Sequence, residues 1–300
     1  MAYYSPLRYP GGKGRLSGYF KSLLPANGLD GGIYIEPFAG GAGVAVTLLA
    51  EGDVSRIVLN DADRSIYALW HSIKHRGDEL IKAIEKIDVT MDEWKKQREI
   101  QRNKENEDLF ALGLSTFYMN RTNRSGILNG GVIGGQSQEG KYRIDARFNK
   151  KNLTSRIATL SELSDSIEVY CKDANEFLAM ELSRYDADTT LVYIDPPYYE
   201  KGSTLYMNHF EHEDHVTLSD TIRSLEHKWI LSYDNTPEIK KIYRGMEPLC
   251  FDLQYSSYES RIGREVFYCS DSVHLPDTES TLPIPAHDTY ICDTQADYAE

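Results

Sequence analysis

Two stretches of the chain carry residue types at spacings that chemistry needs. The first is Asp195-Pro196-Pro197-Tyr198, which follows the apolar run Leu191-Val192-Tyr193-Ile194. Proline cannot donate to a strand ladder, so the strand stops here, and consecutive prolines fix φ at both positions. A carboxylate and the Pro196 carbonyl are then held in extended geometry and aimed at one point. Two converging acceptors suit an amino group whose lone pair is delocalised into a ring, such as that of adenine. Bonding both of its hydrogens favours the tetrahedral nitrogen that can attack an electrophilic methyl. Tyr198 offers a flat face for stacking a base. A base inside a duplex is out of reach of such a site and has to be flipped out, at a cost of about a few kcal/mol. Asp195, Pro196, Pro197 and Tyr198 are therefore the candidate catalytic residues.

The second stretch, Glu36-Pro37-Phe38-Ala39-Gly40-Gly41-Ala42-Gly43, joins a strand end to a helix start, and Asp61 follows at the end of the next strand. Glycines let backbone approach a ligand, and a carboxylate at the second strand end can accept hydrogen bonds from ribose hydroxyls. This is the nucleotide-cofactor arrangement of a doubly wound sheet, and the turn by itself does not separate NAD from S-adenosylmethionine (SAM). Gly11-Gly12-Lys13-Gly14 is not a Walker A loop, because no glycine precedes it at the required spacing and Gly14 stands where Ser or Thr belongs. Lys13 is read instead as a partner for a cofactor carboxylate or a phosphate. His209, His212 and His215 are interleaved with Glu211, Glu213 and Asp214 and read as a solvated helix start, so no metal is expected.

These groups need a framework. Ile33–Glu36, Ile57–Asn60, Ile167–Cys171, Leu191–Asp195 and Trp229–Tyr233 read as strands, with helices after the glycine turn and after Asp173. Segments near 249–255 and 264–270 complete the sheet as an antiparallel hairpin. The two βα patterns, 1–75 and 165–270, form one discontinuous core, split by an insertion over 76–164. The insertion opens with polar helical patterning from Asp78 to Asn120. Gly126, Gly130, Gly131, Gly134, Gly135 and Gly140 then punctuate alternating apolar positions, which predicts hairpins and turns rather than helix. Residues 271–300 read as an acidic tail.

Composition narrows the class. In 300 residues, 41% hydrophobic and 26% charged, collagen, coiled coil and wholesale disorder are excluded. Apolar runs stay well short of the ~20 residues of a membrane span, and the first residues carry no secretory pattern, so a cytoplasmic protein away from membranes is expected. Cys171, Cys250, Cys269 and Cys292 show no CxxC spacing and are each read as a buried thiol. The net charge of −13 disfavours a polyanionic partner on average, yet seven of the acids lie in 271–300, which has no Lys or Arg. Residues 121–156 run the other way, with eight basic against two acidic side chains, a segment able to face phosphates.

Taken together, these motifs resemble the Dam-type, alpha-group DNA adenine methyltransferases over about the first 270 residues. Arg8-Tyr9-Pro10-Gly11-Gly12-Lys13 is similar to the family's N-terminal motif near the methionine end of SAM, and Glu36 to Gly41 to its glycine loop. Asp173-Ala174 is similar to the element that contacts the cofactor's adenine, Asp195 to Tyr198 to the catalytic tetrapeptide, and Phe117 to Gly126 to the start of the recognition hairpins. Ala42 stands where the family has glycine, and Asn129 to Gly135 departs from members that read GATC.

The resemblance implies a SAM-dependent, Rossmann-like α/β fold, a doubly wound mixed sheet of seven strands with an inserted helical and hairpin DNA-recognition domain. It implies methyl transfer from SAM to the adenine 6-amino group in double-stranded DNA, leaving S-adenosylhomocysteine. Cofactor contacts are expected at Tyr9, Lys13, Glu36, Pro37, Phe38, Gly40, Gly41, Asp61, Asp173 and Ala174. DNA contacts are expected at Asn120, Arg121, Asn123, Arg124, Lys141, Arg143 and Arg147. A monomer with a cognate restriction enzyme fits this reading. The alternatives are an adenine methyltransferase acting on RNA, a non-catalytic SAM-responsive DNA-binding protein and an NAD oxidoreductase.

Overall fold

The computed structural model describes residues 3–8, 13–200, 210–255 and 261–276. Its centre is a seven-stranded sheet of β1 (Ile33–Glu36), β2 (Arg56–Asn60), β3 (Ile167–Tyr170), β4 (Thr190–Ile194), β5 (Lys228–Asp234), β6 (Leu249–Tyr255) and β7 (Arg261–Cys269), in the order β3-β2-β1-β4-β5-β7-β6. Strands β1 to β5 pair in parallel, while β7 runs antiparallel to both β5 and β6. This is the doubly wound mixed sheet that the sequence implies. Ile33 of β1 pairs with Arg56 on one side and Thr190 on the other, so the strand order reverses between β1 and β4. In open α/β sheets ligands bind at the carboxyl ends of strands flanking such a reversal.

Side chains alternate between the faces of each strand. Tyr34, Leu191 and Tyr193 point to one face and join a large apolar cluster, whereas Ile35, Val192 and Ile194 point to the other. The first face is covered by α1 (Ser17–Ala26), α2 (Gly43–Glu51), α3 (Arg64–Lys86) and α6 (Lys150–Glu162), the second by α7 (Ala174–Met180), α8 (His212–Arg223) and α9 (Pro237–Ile242). Both central strands are therefore buried on two sides, which is why they read as near-continuous apolar runs. α4 (Met91–Arg102) and α5 (Leu109–Thr122) extend the first face, and their Trp94, Phe117 and Tyr118 belong to its apolar cluster.

The division expected at 75/76 falls inside α3, at Arg76, whose φ of −141° and ψ of 35° interrupt the helix. Beyond α5 the glycine-rich stretch forms the expected turns, but no hairpin is formed among the described residues. A single antiparallel bridge joins Asn123 to Val132, one 3-10 turn spans Arg124–Gly126, and the rest is turns and irregular chain. Side chains replace the ladder: the Gln138 amide donates to the Ile133 and Gly135 carbonyls and accepts from the Ile144 N–H. Cys171 and Cys269 are free thiols, but Cys171 is exposed and Cys269 only half-buried, and Cys250 is disulfide-bonded, which corrects the reading of buried thiols at these three positions. Cys292 lies outside the described residues. Among the described residues no helix is long and apolar enough to cross a membrane.

Close helix contacts fix the placement of α3. A Cβ on Gly113 of α5 would lie 2.4 Å from Ser72 Oγ and 2.6 Å from the Ala68 carbonyl, and one on Gly77 would lie 2.1 Å from Ser161 Oγ of α6. Gly113→Ala gains about 1 kcal/mol in helix propensity. Because the obstacle is backbone, overpacking should outweigh that gain and leave a net loss of about 1–3 kcal/mol. The expected signature is a lower urea midpoint with an unchanged denaturant slope.

Candidate active site

The β1–α2 turn is held from several sides. The Asp61 carboxylate accepts the Gly40 N–H at 2.8 Å, the Trp70 indole donates to the Gly40 carbonyl at 2.9 Å, and Ser5 Oγ donates to the Gly41 carbonyl at 2.6 Å. Asn60 ties the Pro37 and Lys172 carbonyls together, joining the ends of three strands. Ala42 adopts φ 44° and ψ 36°, a left-handed conformation that costs an L-residue about 1–2 kcal/mol and explains why glycine suits this position. A Cβ on Gly43 would lie 3.1 Å from Gly14 Cα, so the glycine lets the N-terminal segment close over the turn.

One cleft runs along the strand ends. It is lined by Tyr3, Ser5, Leu7, Lys13 and Gly14 from the N-terminal segment and by Glu36 to Ala39 and Gly41 to Val44 from the turn. Asp61 to Asp63, Asp173 and Ala174 line one end, and Tyr193, Asp195, Pro197 and Phe210 the other. The expected cofactor residues Lys13, Glu36, Pro37, Phe38, Gly41, Asp61, Asp173 and Ala174 thus face a single space. Gly40 supports it from behind, and Tyr9 lies outside the described residues. Five carboxylates and one ammonium line this space, a donor set that suits a cationic ligand with hydroxyls to bond. Glu36 is buried and accepts the Ala45 N–H at 3.2 Å, and burial pushes its carboxyl up to about 8. Burial and the Asp63 carboxylate likewise raise Asp61, against the Asp63 and Gly40 N–H bonds. Asp173 caps α7 by accepting from the Asn175 and Glu176 amides.

At the β4 end the structure departs from the expected partners. Lys13, expected against a cofactor carboxylate, donates to both Asp195 oxygens at 3.0 and 3.2 Å and to the Tyr198 hydroxyl. Ser232 Oγ of β5 donates to the same Asp195 oxygen at 2.7 Å and is itself 2.9 Å from the Tyr193 hydroxyl. The Tyr198 hydroxyl donates to Glu265 at 2.6 Å, and Lys13 lies over the Tyr198 ring at 4.7 Å. Pro196 and Tyr198 are not on the cleft wall; Tyr198 is 6% exposed. Burial, and after it the Asp195 charge, push Glu265 up to about 7 against the pull of Lys13. Ser232, Asp234 and Glu265 were missed because a polar residue in an apolar strand gives no hint of its partner 30 to 70 positions away. The available signal was Glu265 itself, a carboxylate beside the buried Val266, Phe267 and Tyr268.

His215 bonds the Tyr233 hydroxyl at 2.8 Å and is buried, and His212 bonds the Tyr199 hydroxyl at 3.1 Å. The solvated reading is corrected for His215: it packs against Phe210 and Tyr199, and burial lowers its ring to about 4. His209 lies outside the described residues.

The expected DNA residues fall into two groups. Arg124, Lys141, Arg143 and Arg147 are exposed, with Lys141 and Arg147 flanking the exposed Tyr142 ring. Asn120, Arg121 and Asn123 are buried, and their polar atoms bond the chain itself. Asn120 brackets Arg8 by bonding both its N–H and its carbonyl, and also bonds the Gly126 carbonyl. Asn123 receives the Trp94 indole and donates to the Ile127 and Leu128 carbonyls. Arg121 donates to the Pro6 carbonyl. These side chains hold the loop and the N-terminal segment in shape.

With the geometry in place, a family model described as D12 class N6 adenine-specific DNA methyltransferase matches residues 9–257. The chain belongs to this family. It is 24% identical over 264 residues to the type II methyltransferase M.MjaIII of Methanocaldococcus jannaschii, covering 80% of this chain and 87% of that protein. It is 25% identical over 234 residues to the DNA adenine methylase of Escherichia coli K12, covering 75% and 77%. The type II methyltransferase M.CviBI of Paramecium bursaria Chlorella virus NC1A is 23% identical over 269 residues, covering 87% and 95%. As a D12-class enzyme the chain is an adenine-specific DNA methyltransferase that uses SAM.

The buried carboxylates give the ligand-free methyltransferase a pH signature. Glu36 and Asp61 hold protons in the folded state that the unfolded chain has released near pH 7. Their contribution is complete below the ordinary carboxylate values and is lost as pH rises through about 7 to 8. Between pH 5.5 and 8.5 the unfolding free energy from urea titrations should fall by roughly 1–3 kcal/mol. Glu36→Gln keeps an oxygen for Ala45 and should flatten part of that fall; an unchanged slope would remove Glu36 as its source.

Proposed function

We propose that the cleft holds SAM with its ribose hydroxyls on Asp61, its adenine between Phe38 and the Asp173-Ala174 corner, and its methionine end toward Glu36 and the 3–14 segment. The observation that supports this reading is the continuity of the cleft, which joins the glycine turn to Asp195 and Pro197 without a barrier. Bound SAM supplies an electrophilic methyl, leaves as S-adenosylhomocysteine, and needs no metal.

The chain's own groups act at the β4 end. The Asp195 carboxylate and the Pro196 carbonyl accept the two hydrogens of a flipped adenine's amino group, drawing its nitrogen toward tetrahedral geometry. Lys13 has to yield Asp195 to that amino group, and Tyr198 has to turn its face to the base. The Phe38–Phe210 contact, with ring centroids 5.7 Å apart, closes the apolar side of the cleft and limits water there. Collinear placement of nucleophile and methyl is what this rigid strand end contributes.

The substrate form we assign is double-stranded DNA, gripped by Arg124, Lys141, Arg143 and Arg147, with recognition assigned to the part of 76–164 that precedes α6, and α6 counted with the core at 1–75 and 165–270. The name "type II methyltransferase" carried by two relatives supports pairing with a restriction enzyme. A cytoplasmic monomer suffices for this role.

Two experiments test the reading. In a methylation-free bacterial host, modification-sensitive sequencing should find methyl-adenine at one short motif with the wild-type chain. No such mark should appear with Asp195→Ala, although that variant keeps its SAM affinity; marks that persist would remove Asp195 from the chemistry. Reversing the charge of both Arg143 and Arg147 should weaken DNA binding and lower the slope of log affinity against log salt by about 2. An unchanged slope would take the basic segment out of the interface.

A further inference from the structure

Methyl transfer as described leaves one buried acid without a role. Glu265 lies on β7 directly opposite Asp234 of β5 in the antiparallel register, and both are buried. The pair grips the catalytic loop from below. Asp234 accepts the Tyr199 and Glu200 amides, each at 3.1 Å, which fixes the backbone leaving the tetrapeptide. Glu265 Oε1 receives the Tyr198 hydroxyl at 2.6 Å, while Oε2 takes no hydrogen bond and faces Lys13 Nζ at 3.6 Å. The same ammonium holds both oxygens of Asp195, and the side chains of Lys13 and Glu265 are 4% and 1% exposed.

An ammonium in so dry a place cannot leave one carboxylate unless another is within reach, because a buried charge stripped of its partner is heavily penalised. A substrate amino group can use Asp195 only if Lys13 gives it up. We infer that Glu265 is a positioning residue for methyl transfer: one oxygen fixes the Tyr198 ring, and the other receives Lys13 when the target amino group takes its place on Asp195. The inference rests on the assignment of Asp195 and Tyr198 to the reacting end of the cleft.

The test uses the full chain with SAM and a duplex carrying its methylated motif, comparing wild type, Glu265→Gln, Glu265→Asp, Glu265→Ala and Asp195→Ala. Glu265→Gln keeps an oxygen for Tyr198 but removes the charge. Its single-turnover rate should fall on the order of 10- to 100-fold while its SAM affinity stays within about threefold. Glu265→Asp, which restores the charge, should recover part of the rate lost in Glu265→Gln, which a purely structural defect would not do. Glu265→Ala should be slower still, and if it does not fold, the glutamine and aspartate variants carry the test. A wild-type rate for Glu265→Gln, with Asp195→Ala inactive, would overturn the inference and leave the reading of the site standing. Activity in Asp195→Ala would overturn both.

Discussion

The Lys13 ammonium is almost fully buried, and a cation in such a place has to be surrounded by oxygen. Those oxygens come from two distant parts of the chain: Asp195 and Tyr198 after β4, and Glu265 on β7. Satisfying this one charge therefore docks the N-terminal segment on the strand ends, stops β4 at a defined height and sets the place of the antiparallel strand. The cleft follows from it. With Lys13 drawn toward β4, Gly14 passes against Gly43, and Tyr3, Ser5 and Leu7 are left to line the cleft.

The same network shows how a site can be stable and still be ready to react. Asp195 is held by Ser232 as well as by Lys13, so its carboxylate keeps its direction when one partner leaves. Ser232 is in turn fixed by Tyr193, whose ring packs within the apolar cluster below the sheet. Rigidity passes from core to carboxylate through two hydroxyls, which need no ionisation and so do not compete for the proton released in the reaction.

What could be read in the sequence was whatever is local. The glycine turn, Asp61 at the next strand end and the tetrapeptide at the end of β4 declare themselves because strand, turn and helix signals lie side by side. Pairings across the sheet leave no such trace, so Lys13 was read toward a cofactor carboxylate or a phosphate with no sign of its contact with Asp195, and Glu265 was not singled out. Asn120 and Asn123 have side chains that suit either a base edge or a carbonyl of their own loop, and composition does not show the intrachain bonds they make. The glycines of 126–140 announced turns and hairpins; the turns are there, and with amide side chains satisfying the backbone the segment needs no ladder. α6 lay inside what reads as an insertion, yet it packs on α3 and α2 and leads through a short turn into β3, so it belongs to the sheet's own covering layer.

The placement of β1 between β2 and β4 bears on how the molecule is made. Its first neighbour follows it within a short stretch of chain, while the second is roughly 130 residues further on than β2, a delay of about ten seconds or more on the ribosome. Throughout that interval the nascent chain carries a central strand with one open edge and an apolar face that its final partner has yet to cover. The helices that emerge meanwhile, α3 to α6, pack on the same apolar cluster and can shelter one face of the young sheet. The stretch that separates the two halves of the sheet would then also protect the half-built core.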